Sequence, residues 1–455
     1  AGGEPLGAPQ AVGALPGAPP GSPHGSHYSG YLEVPWPAGK LETFYYFAPH
    51  PDPSRPLVAW MNGGPGASSV VGLFAELGPL LLNARSAPRP GRDGWELFAN
   101  PDGWGAEGSL LAWEQPAGVG FSRCPGCGDW NDTSATMASH AFLLAFYEAF
   151  PAERSRPLFI AGESYGGIYV PLLANQVHLH NSKAAEAIPL RGVAIGNGCI
   201  GFGVSGACGT DSLELLVEVL ETAAPGVDRS LLAQVRHACR GELDKGLGPA
   251  DLSTACRSAF KELEEEIGDY NSYHFGSPCG PDEQGNWGDG SAFSCGSMAA
   301  TRSYFNDLEV QRALHAVPAS ATEALKWTTW DGDAPFYNIT VADAQPVYRA
   351  LLAANYSMLI YNGLRDTCVP AIGVEKWAPR VSGEPLRRRK WGGPDGGLAG
   401  HVTEFADGLT FATIEGAGHF VPADRPRQAR AMLGAFVRGE ALPEYTGRAC
   451  TPLWL

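Results

Sequence analysis

Apolar and polar positions follow two patterns along this chain of 455 residues. Short apolar or aromatic runs that end in turn residues predict buried strands. They occupy 42–48, 56–63, 109–118, 157–161, 190–198, 356–363 and 409–416. Apolar residues at helical spacing predict helices at 134–150, at 167–180 and in the final segment "PRQARAMLGAFVRG". Strands that alternate with helices favour an α/β fold with a mostly parallel sheet.

The same pattern divides the chain into four parts. Residues 1–25 are rich in glycine and proline and lack apolar periodicity, so we expect a flexible leader there. Residues 26–200 and 341–455 carry the alternation of strands and helices, and they are predicted to be the two parts of one core. Residues 201–340 are helical, charged and rich in cysteine, which predicts an inserted, mainly helical lid with local disulfides.

Composition narrows the class of protein. The formal net charge of −16 and the pI near 5.1 argue against a nucleic-acid or anionic-membrane partner. No apolar run approaches the roughly 18 residues that a membrane helix needs. Ten cysteines and three Asn-x-Ser/Thr acceptors, at Asn131, Asn338 and Asn355, indicate the secretory pathway. We therefore expect a glycosylated protein that is secreted, vacuolar or lysosomal.

One short motif carries candidate chemistry. The segment from Gly162 to Gly166 has the pattern G-x-S-x-G and lies between a predicted strand and a predicted helix. In a nucleophile elbow, small flanking residues let the backbone turn sharply, and the following helix directs its N-terminal amides at the site. The motif predicts that Ser164 is a nucleophile. An ordinary glycine turn is the alternative.

Two later loops supply partners for this serine in the chain order of such folds, which is Ser, then an acid, then His. Asp366 follows the strand at 356–363, and His419 follows the strand at 409–416. We expect His419 to act as base and Asp366 to orient its ring. His401 also follows Asp366, but it is expected in a surface loop, as is the basic run "RRRK" at 387–390.

An oxyanion hole requires two backbone N–H donors. Tyr165, directly after the nucleophile, is predicted to supply one. The glycine-rich turn "NGGPG" after the strand at 56–63 is predicted to supply the other, from Gly64. A plain loop is the alternative interpretation of that turn.

From about residue 28 to its end, the chain resembles the serine carboxypeptidases, a branch of the α/β-hydrolases. The resemblance rests on segments in family order: "WMNGGPGASS", "FAELGP", "WEQPAGVGFS", "GESYGGIYVP", "YFNDLEVQRALH", "YNGLRDTCVP" and "GAGHFVPADRP". It implies an α/β-hydrolase fold, with a central, mostly parallel mixed sheet flanked by helices and an inserted lid.

The resemblance also implies an activity, the removal of single residues from peptide or protein C-termini at acidic pH without a cofactor or a metal. Carried over by motif, the groups that bind the substrate's terminal carboxylate are Asn62, the Gly63 amide, Glu76 and Glu163. Two carboxyl groups that share a site raise one pKa and can hold a proton between them. Phe420, which follows the base, is expected to shape the pocket for the released residue.

Two other functions fit the same fold. The first is an acyltransferase that passes the acyl group to an alcohol, and the second is a non-catalytic protective or binding protein. Relatives that transfer acyl groups commonly have Asp before the nucleophile, so Glu163 favours hydrolysis. The stretch "GNGCIG" at 196–201 matches a dinucleotide pattern, but no clear helix follows it, and we expect no nucleotide there. Side-chain specificity and oligomeric state are open.

Overall fold

The structure is a computed structural model. It describes residues 9–20, 22, 26–37, 39–206, 208–223, 226–248, 250–281, 287–290, 294–328 and 337–447. Residues 1–8 of the expected leader and 448–455 of the expected core therefore lie outside the described residues.

The described residues form sixteen strands: β1 (Tyr28–Trp36), β2 (Gly39–Ala48), β3 (Leu57–Met61), β4 (Leu80–Leu81), β5 (Phe98–Ala99), β6 (Ser109–Trp113), β7 (Trp130–Asn131), β8 (Leu158–Glu163), β9 (Leu190–Gly196), β10 (Cys279–Pro281), β11 (Trp287–Gly290), β12 (Tyr337–Asn338), β13 (Ser357–Gly363), β14 (Arg387–Gly392), β15 (Leu398–Glu404) and β16 (Leu409–Ile414).

They also form twelve α-helices: α1 (Ser69–Ala75), α2 (Asp132–Ala149), α3 (Gly166–Asn181), α4 (Ser212–Ala223), α5 (Arg229–Ala238), α6 (Thr254–Ile267), α7 (Ser297–Phe305), α8 (Leu308–Ala313), α9 (Gln345–Ala353), α10 (Ala371–Ser382), α11 (Val421–Asp424) and α12 (Pro426–Arg438). Every strand and helix predicted from the apolar pattern is present, with ends that differ by a few residues.

Ten strands make one sheet in the order β1-β2-β6-β3-β8-β9-β13-β16-β15-β14. The six strands from β6 to β16 in this order pair in parallel, and the outer strands pair antiparallel. The predicted mixed, mostly parallel sheet is therefore confirmed. The carboxyl ends of β8, β9, β13 and β16 lie side by side, and the candidate site residues follow three of these strands.

Alternation along each central strand sends side chains into two cores, one on each face of the sheet. In β3, Leu57 and Ala59 face the core that contains α2, α3, α9 and α10. Val58 and Trp60 face the other core, to which α1, α7 and α12 contribute. Because both faces are covered by helices, the central strands are almost entirely apolar, as parallel sheets require.

The segment between β9 and β12 covers most of residues 201–340, which the sequence predicts to be an inserted lid. Helices α4, α5 and α6 share a small apolar core of their own, built around residues such as Leu220, Val235 and Leu263. Three local disulfides lie in this segment, Cys199–Cys208, Cys239–Cys256 and Cys279–Cys295. In contrast, α7 and α8 pack into the main core through Tyr304, Phe305 and Val310. The second half of this segment thus packs into the main core.

The expectation of a flexible leader is wrong for residues 9–20. Val12 and Leu15 are buried in the main core. The Val12 N–H donates to the His27 carbonyl at 2.8 Å, and the Leu97 N–H donates to the Gly17 carbonyl at 2.8 Å. These two apolar side chains and the backbone hydrogen bonds dock the segment. Two apolar residues are too few to produce the periodicity that a core element shows in sequence.

Two further segments expected to be loops are strands. The basic run "RRRK" lies in the edge strand β14, and His401 lies in β15. The arginines of β14 pair with glutamates, including Arg388 with Glu375 at 2.6 Å. Charged residues are common on edge strands because they oppose edge-to-edge association. Their polarity concealed the strand from a search for apolar runs.

Candidate active site

The G-x-S-x-G motif forms a sharp turn between β8 and α3. Ser164 has a positive φ of 58°, which is rare for a residue with a side chain. A Cβ at Gly162 would lie 2.5 Å from the Met61 carbonyl oxygen of the neighbouring strand. The glycine is therefore required by the close approach of β3, and this sharp turn between a strand and a helix has the backbone geometry of a nucleophile elbow.

The side chains of Asp366 and His419 are in contact. His419 Nδ1 lies 2.7 Å from Asp366 Oδ2, and both side chains are almost completely buried. The Cys368 and Val369 N–H groups donate to the other carboxylate oxygen, at 2.8 and 3.2 Å. Since a carboxylate oxygen only accepts, Nδ1 carries the proton and Nε2 is left as the basic nitrogen.

A short segment, which we call the lid strap (residues 272–275), joins the loops that contain Asp366 and His419. The Thr367 and Cys368 N–H groups donate to the Ser272 carbonyl at 3.0 and 3.1 Å, and the His419 N–H donates to the Tyr273 carbonyl at 2.7 Å. The Tyr273 ring lies 4.7 Å from the His419 ring, centroid to centroid. The strap thus holds both loops, and its Tyr273 ring packs against the imidazole with the ring planes tilted by 48°.

The candidate oxyanion donors lie beside the elbow. A Cβ at Gly63 would lie 2.4 Å from Tyr165 N and 2.7 Å from the Ser164 Cβ, so the glycine-rich turn is in contact with Ser164. Gly64 has a positive φ of 104°. No described residue accepts a hydrogen bond from the amides of Gly63, Gly64 or Tyr165. These N–H groups are therefore available to a ligand.

The candidate carboxylate-binding residues form one buried cluster. The Asn62 Nδ2 group donates to Glu163 Oε1 at 2.7 Å and to Glu76 Oε1 at 3.2 Å. Asn62 Oδ1 accepts from Trp60 Nε1 at 2.7 Å, which fixes the orientation of the amide. Glu76 and Glu163 are each 2% exposed. The structure therefore brings Asn62, Glu76 and Glu163 together next to Ser164.

Burial is the largest cause of the raised pKa values of Glu76 and Glu163. It raises the pKa of Glu163 well above the ordinary value, and the charge of Glu76 and a hydrogen bond with it raise that pKa further. Burial also raises the pKa of Glu76, against hydrogen bonds from Glu163 and Asn62 that lower it. One of the two carboxyl groups therefore holds a proton well above the pH at which an exposed glutamate ionises.

The remaining candidates are placed as follows. Phe420 is partly buried, and its ring lies 5.5 Å from that of Tyr273 and 5.3 Å from that of His419. Of the glycosylation candidates, Asn338 and Asn355 are exposed, whereas Asn131 caps α2 by accepting from the Ser134 N–H. Among the described residues, no cluster of His, Cys, Asp and Glu is arranged to hold a metal ion.

Three further residues help to build this site, and no sequence motif predicts their roles. Tyr273 comes from the insertion, Trp60 supports Asn62 from within β3, and Asn197 contacts Asp366 from the end of β9. One contact is not formed: among the described residues, Ser164 Oγ and His419 share no hydrogen bond. Such bonds are often long in unliganded enzymes and tighten with substrate.

Comparison with known proteins adds a sequence match over most of the chain. Residues 16–439 match the family described as serine carboxypeptidase. The chain is 32% identical to serine carboxypeptidase-like 42 of Arabidopsis thaliana, over 92% of this chain and 89% of the relative. It is 28% identical to serine carboxypeptidase-like 20 of the same plant, over 91% and 90% of the two chains.

A solved structure is similar in fold. Kex1(delta)p, a prohormone-processing carboxypeptidase from Saccharomyces cerevisiae, superposes with a TM-score of 0.69 at 20% identity, over 93% of each chain. Together with the observed sheet order, this likeness confirms the predicted α/β-hydrolase fold. The relatives' names leave the reaction of this chain open between peptidase and acyltransferase.

Proposed function

Because the chain belongs to the serine carboxypeptidase family, we propose that it is a serine-type carboxypeptidase. It releases single amino acids from the C-termini of peptides or proteins at acidic pH. The observation that carries this proposal is the buried cluster of Asn62, Glu76 and Glu163 beside Ser164. A cluster that shares protons next to a nucleophile suits a substrate that ends in a free carboxylate.

The chemistry divides into two halves. Ser164 Oγ attacks the carbonyl carbon of the last peptide bond while His419 Nε2 takes its proton. The resulting oxyanion accepts from the amides of Gly64 and Tyr165. When the C–N bond breaks, His419 returns the proton to the leaving amine, and an acyl-serine ester remains. Water then attacks this ester by the same route, and Ser164 is regenerated.

Acid favours the binding step for an electrostatic reason. When the Glu76–Glu163 pair is protonated, a carboxyl O–H and the Asn62 amide can donate to the substrate's terminal carboxylate. When both glutamates are ionised, they repel that carboxylate from a distance of a few ångströms. The Gly63 N–H donates to no described residue and is a further donor for the substrate.

The disulfides indicate the cellular compartment in which the protein works. The described residues hold four disulfides, which persist in oxidising compartments. None of the helices in the described parts of the chain has the length and apolarity that a membrane crossing demands. We propose that the protein works in the secretory pathway, as a secreted, vacuolar or lysosomal enzyme, with carbohydrate on the exposed Asn338 and Asn355.

A blocked dipeptide tests this function at pH 5. The wild-type chain is expected to release the C-terminal amino acid, to act far more slowly on the same dipeptide with an amidated C-terminus, and to lose activity in Ser164→Ala. Acyl transfer from a glucose ester to an alcohol, without amino acid release, would identify an acyltransferase instead. Release by Ser164→Ala at the wild-type rate would contradict the mechanism.

A further inference from the structure

We propose that Asn197 is the positioning residue that holds the triad acid, Asp366, in place. This inference rests on the triad proposed above. Asn197 belongs to the "GNGCIG" stretch, which resembles a nucleotide-binding pattern in sequence. In the structure this stretch begins at the end of β9. This strand lies between β8, which precedes Ser164, and β13, which precedes Asp366.

The contacts of Asn197 are directed at the acid. Its Nδ2 group donates to Asp366 Oδ2 at 2.7 Å, the same oxygen that lies 2.7 Å from His419 Nδ1. Its Oδ1 accepts from the Gly363 N–H at 3.2 Å, at the end of β13. Asn197 is 0% exposed, so water cannot replace either bond. The side chain therefore fixes the carboxylate oxygen that accepts the hydrogen bond from His419 Nδ1.

The turn that carries Asn197 also holds the nucleophile. The Ser164 N–H donates to the Gly196 carbonyl at 3.1 Å, and the Cys199 N–H donates to the Ser164 carbonyl at 2.9 Å. A Cβ at Gly198 would lie 3.2 Å from the Gly167 Cα, so the turn packs directly on the start of α3. One short turn thus sets the positions of the serine and the acid relative to each other.

Asparagine suits this position for two reasons. Its φ is 41°, a left-handed conformation that asparagine adopts more readily than most residues. Its amide donates without adding charge, so Asp366 stays a pure acceptor for the His419 ring. The titratable groups that act electrostatically on Asp366 or contact it are His419, Glu163, Tyr273 and Cys368.

Two substitutions separate positioning from general stability. Asn197→Gly keeps the positive φ and removes the donor. Loss of a hydrogen bond to a charged group is expected to lower kcat about 10- to 100-fold, with KM nearly unchanged. Asn362→Ala is the matched control: Asn362 is equally buried and donates to the Val369 carbonyl in the same loop, but not to Asp366. Its kcat is expected to stay within about threefold of wild type.

Asn197→Asp should give kcat a pH dependence that a purely structural role of Asn197 would not produce. At low pH the new carboxyl is protonated, and its O–H donates to Asp366 as the amide does. At higher pH two carboxylates face each other and repel. The ratio of variant to wild-type kcat is therefore expected to fall as pH rises. A ratio that is constant with pH, or Asn197→Gly with a kcat within threefold of wild type, would overturn the assignment.

A phosphonofluoridate distinguishes failure of this inference from failure of the proposed function, because it labels an activated serine whatever the natural substrate is. Slower labelling of Ser164 in the Asn197 variants supports the positioning role. Equal labelling rates in wild type and Asn197→Gly overturn that role and leave the triad standing. No labelling of the wild-type Ser164 overturns the triad, and with it both proposals.

Discussion

Glu114 is a buried carboxyl whose titration should make the fold more stable in acid. It is 1% exposed, and its Oε1 accepts from Ser68 Oγ at 2.9 Å and from Trp327 Nε1 at 3.2 Å. No described residue donates to its Oε2. Burial raises the pKa of Glu114 to about 7 from 4.5, although the hydrogen bonds from Ser68 and Trp327 oppose the rise.

The sign and the size of the effect follow from linkage. Because the folded-state pKa lies above the unfolded value, the folded chain binds the proton more tightly. The stability that depends on this proton is complete below about pH 4.5 and is lost as the pH rises to about 7. At about 1.4 kcal/mol for each pKa unit, the loss is about 3 kcal/mol.

Glu114→Gln removes this titration and keeps the shape of the side chain. The amide is neutral at every pH, although its NH₂ group without an acceptor costs about 1–3 kcal/mol at all pH values. Subtracting the variant's free energy of unfolding from that of wild type cancels the contributions of Glu76 and Glu163. This difference is expected to fall by about 3 kcal/mol between pH 4 and pH 8.

Urea unfolding followed by tryptophan fluorescence, with the disulfides intact, measures the difference at each pH. The wild-type chain should lose stability more steeply than the variant as the pH rises. A difference that stays constant from pH 4 to pH 8, or that grows, would show that Glu114 ionises in the folded chain as easily as in the unfolded one. The reasoning from burial would then be refuted.

Three further predictions concern the site and the insertion. Between pH 5 and pH 8, the KM of wild type should rise at least about fivefold more than the KM of Glu163→Gln, because the substitution removes one unit-charge repulsion of about 1–4 kcal/mol. Initial rates on a blocked dipeptide measure both KM values. Tyr273→Ala should lower kcat about 2- to 12-fold by removing the ring that packs on His419, while Tyr273→Phe keeps it. Replacing Cys239 and Cys256 by serine should destabilise α5 and α6 by roughly 3 kcal/mol, measured by amide hydrogen exchange.

Each of these predictions has an outcome that contradicts it. Parallel KM profiles for wild type and Glu163→Gln would remove the proton-sharing role of the glutamate pair. A Tyr273→Phe variant as slow as Tyr273→Ala would assign the effect to the hydroxyl rather than to the ring. Exchange that accelerates equally in the central sheet and in α5 would show that the insertion does not unfold as a unit of its own.

The candidate triad and the parallel sheet could be predicted from sequence because each depends on local patterns. Buried parallel strands are nearly continuous apolar runs, and the loops after them contain Ser164, Asp366 and His419 in a fixed chain order. The edge strand β14 was missed for the converse reason, because "RRRK" is charged and its pairing depends on distant glutamates.

Contacts between distant segments account for the rest. Nothing near Asn197 in sequence indicates that its amide will face Asp366, since that contact depends on β9 lying beside β13. Tyr273 reaches His419 only because the insertion folds back over the sheet. The docking of residues 9–20 likewise rests on Val12 and Leu15, whose partners lie far along the chain. Such contacts belong to the tertiary structure and leave no local signal.

The central claim is that Ser164 is a nucleophile activated by His419 and Asp366. Mass spectrometry of the chain after reaction with a phosphonofluoridate at pH 7 tests it most directly. The account predicts one adduct, on Ser164, in the wild-type chain, and almost none in His419→Ala under the same conditions. An unlabelled Ser164 in a folded wild-type chain, or equal labelling of His419→Ala, would contradict the claim.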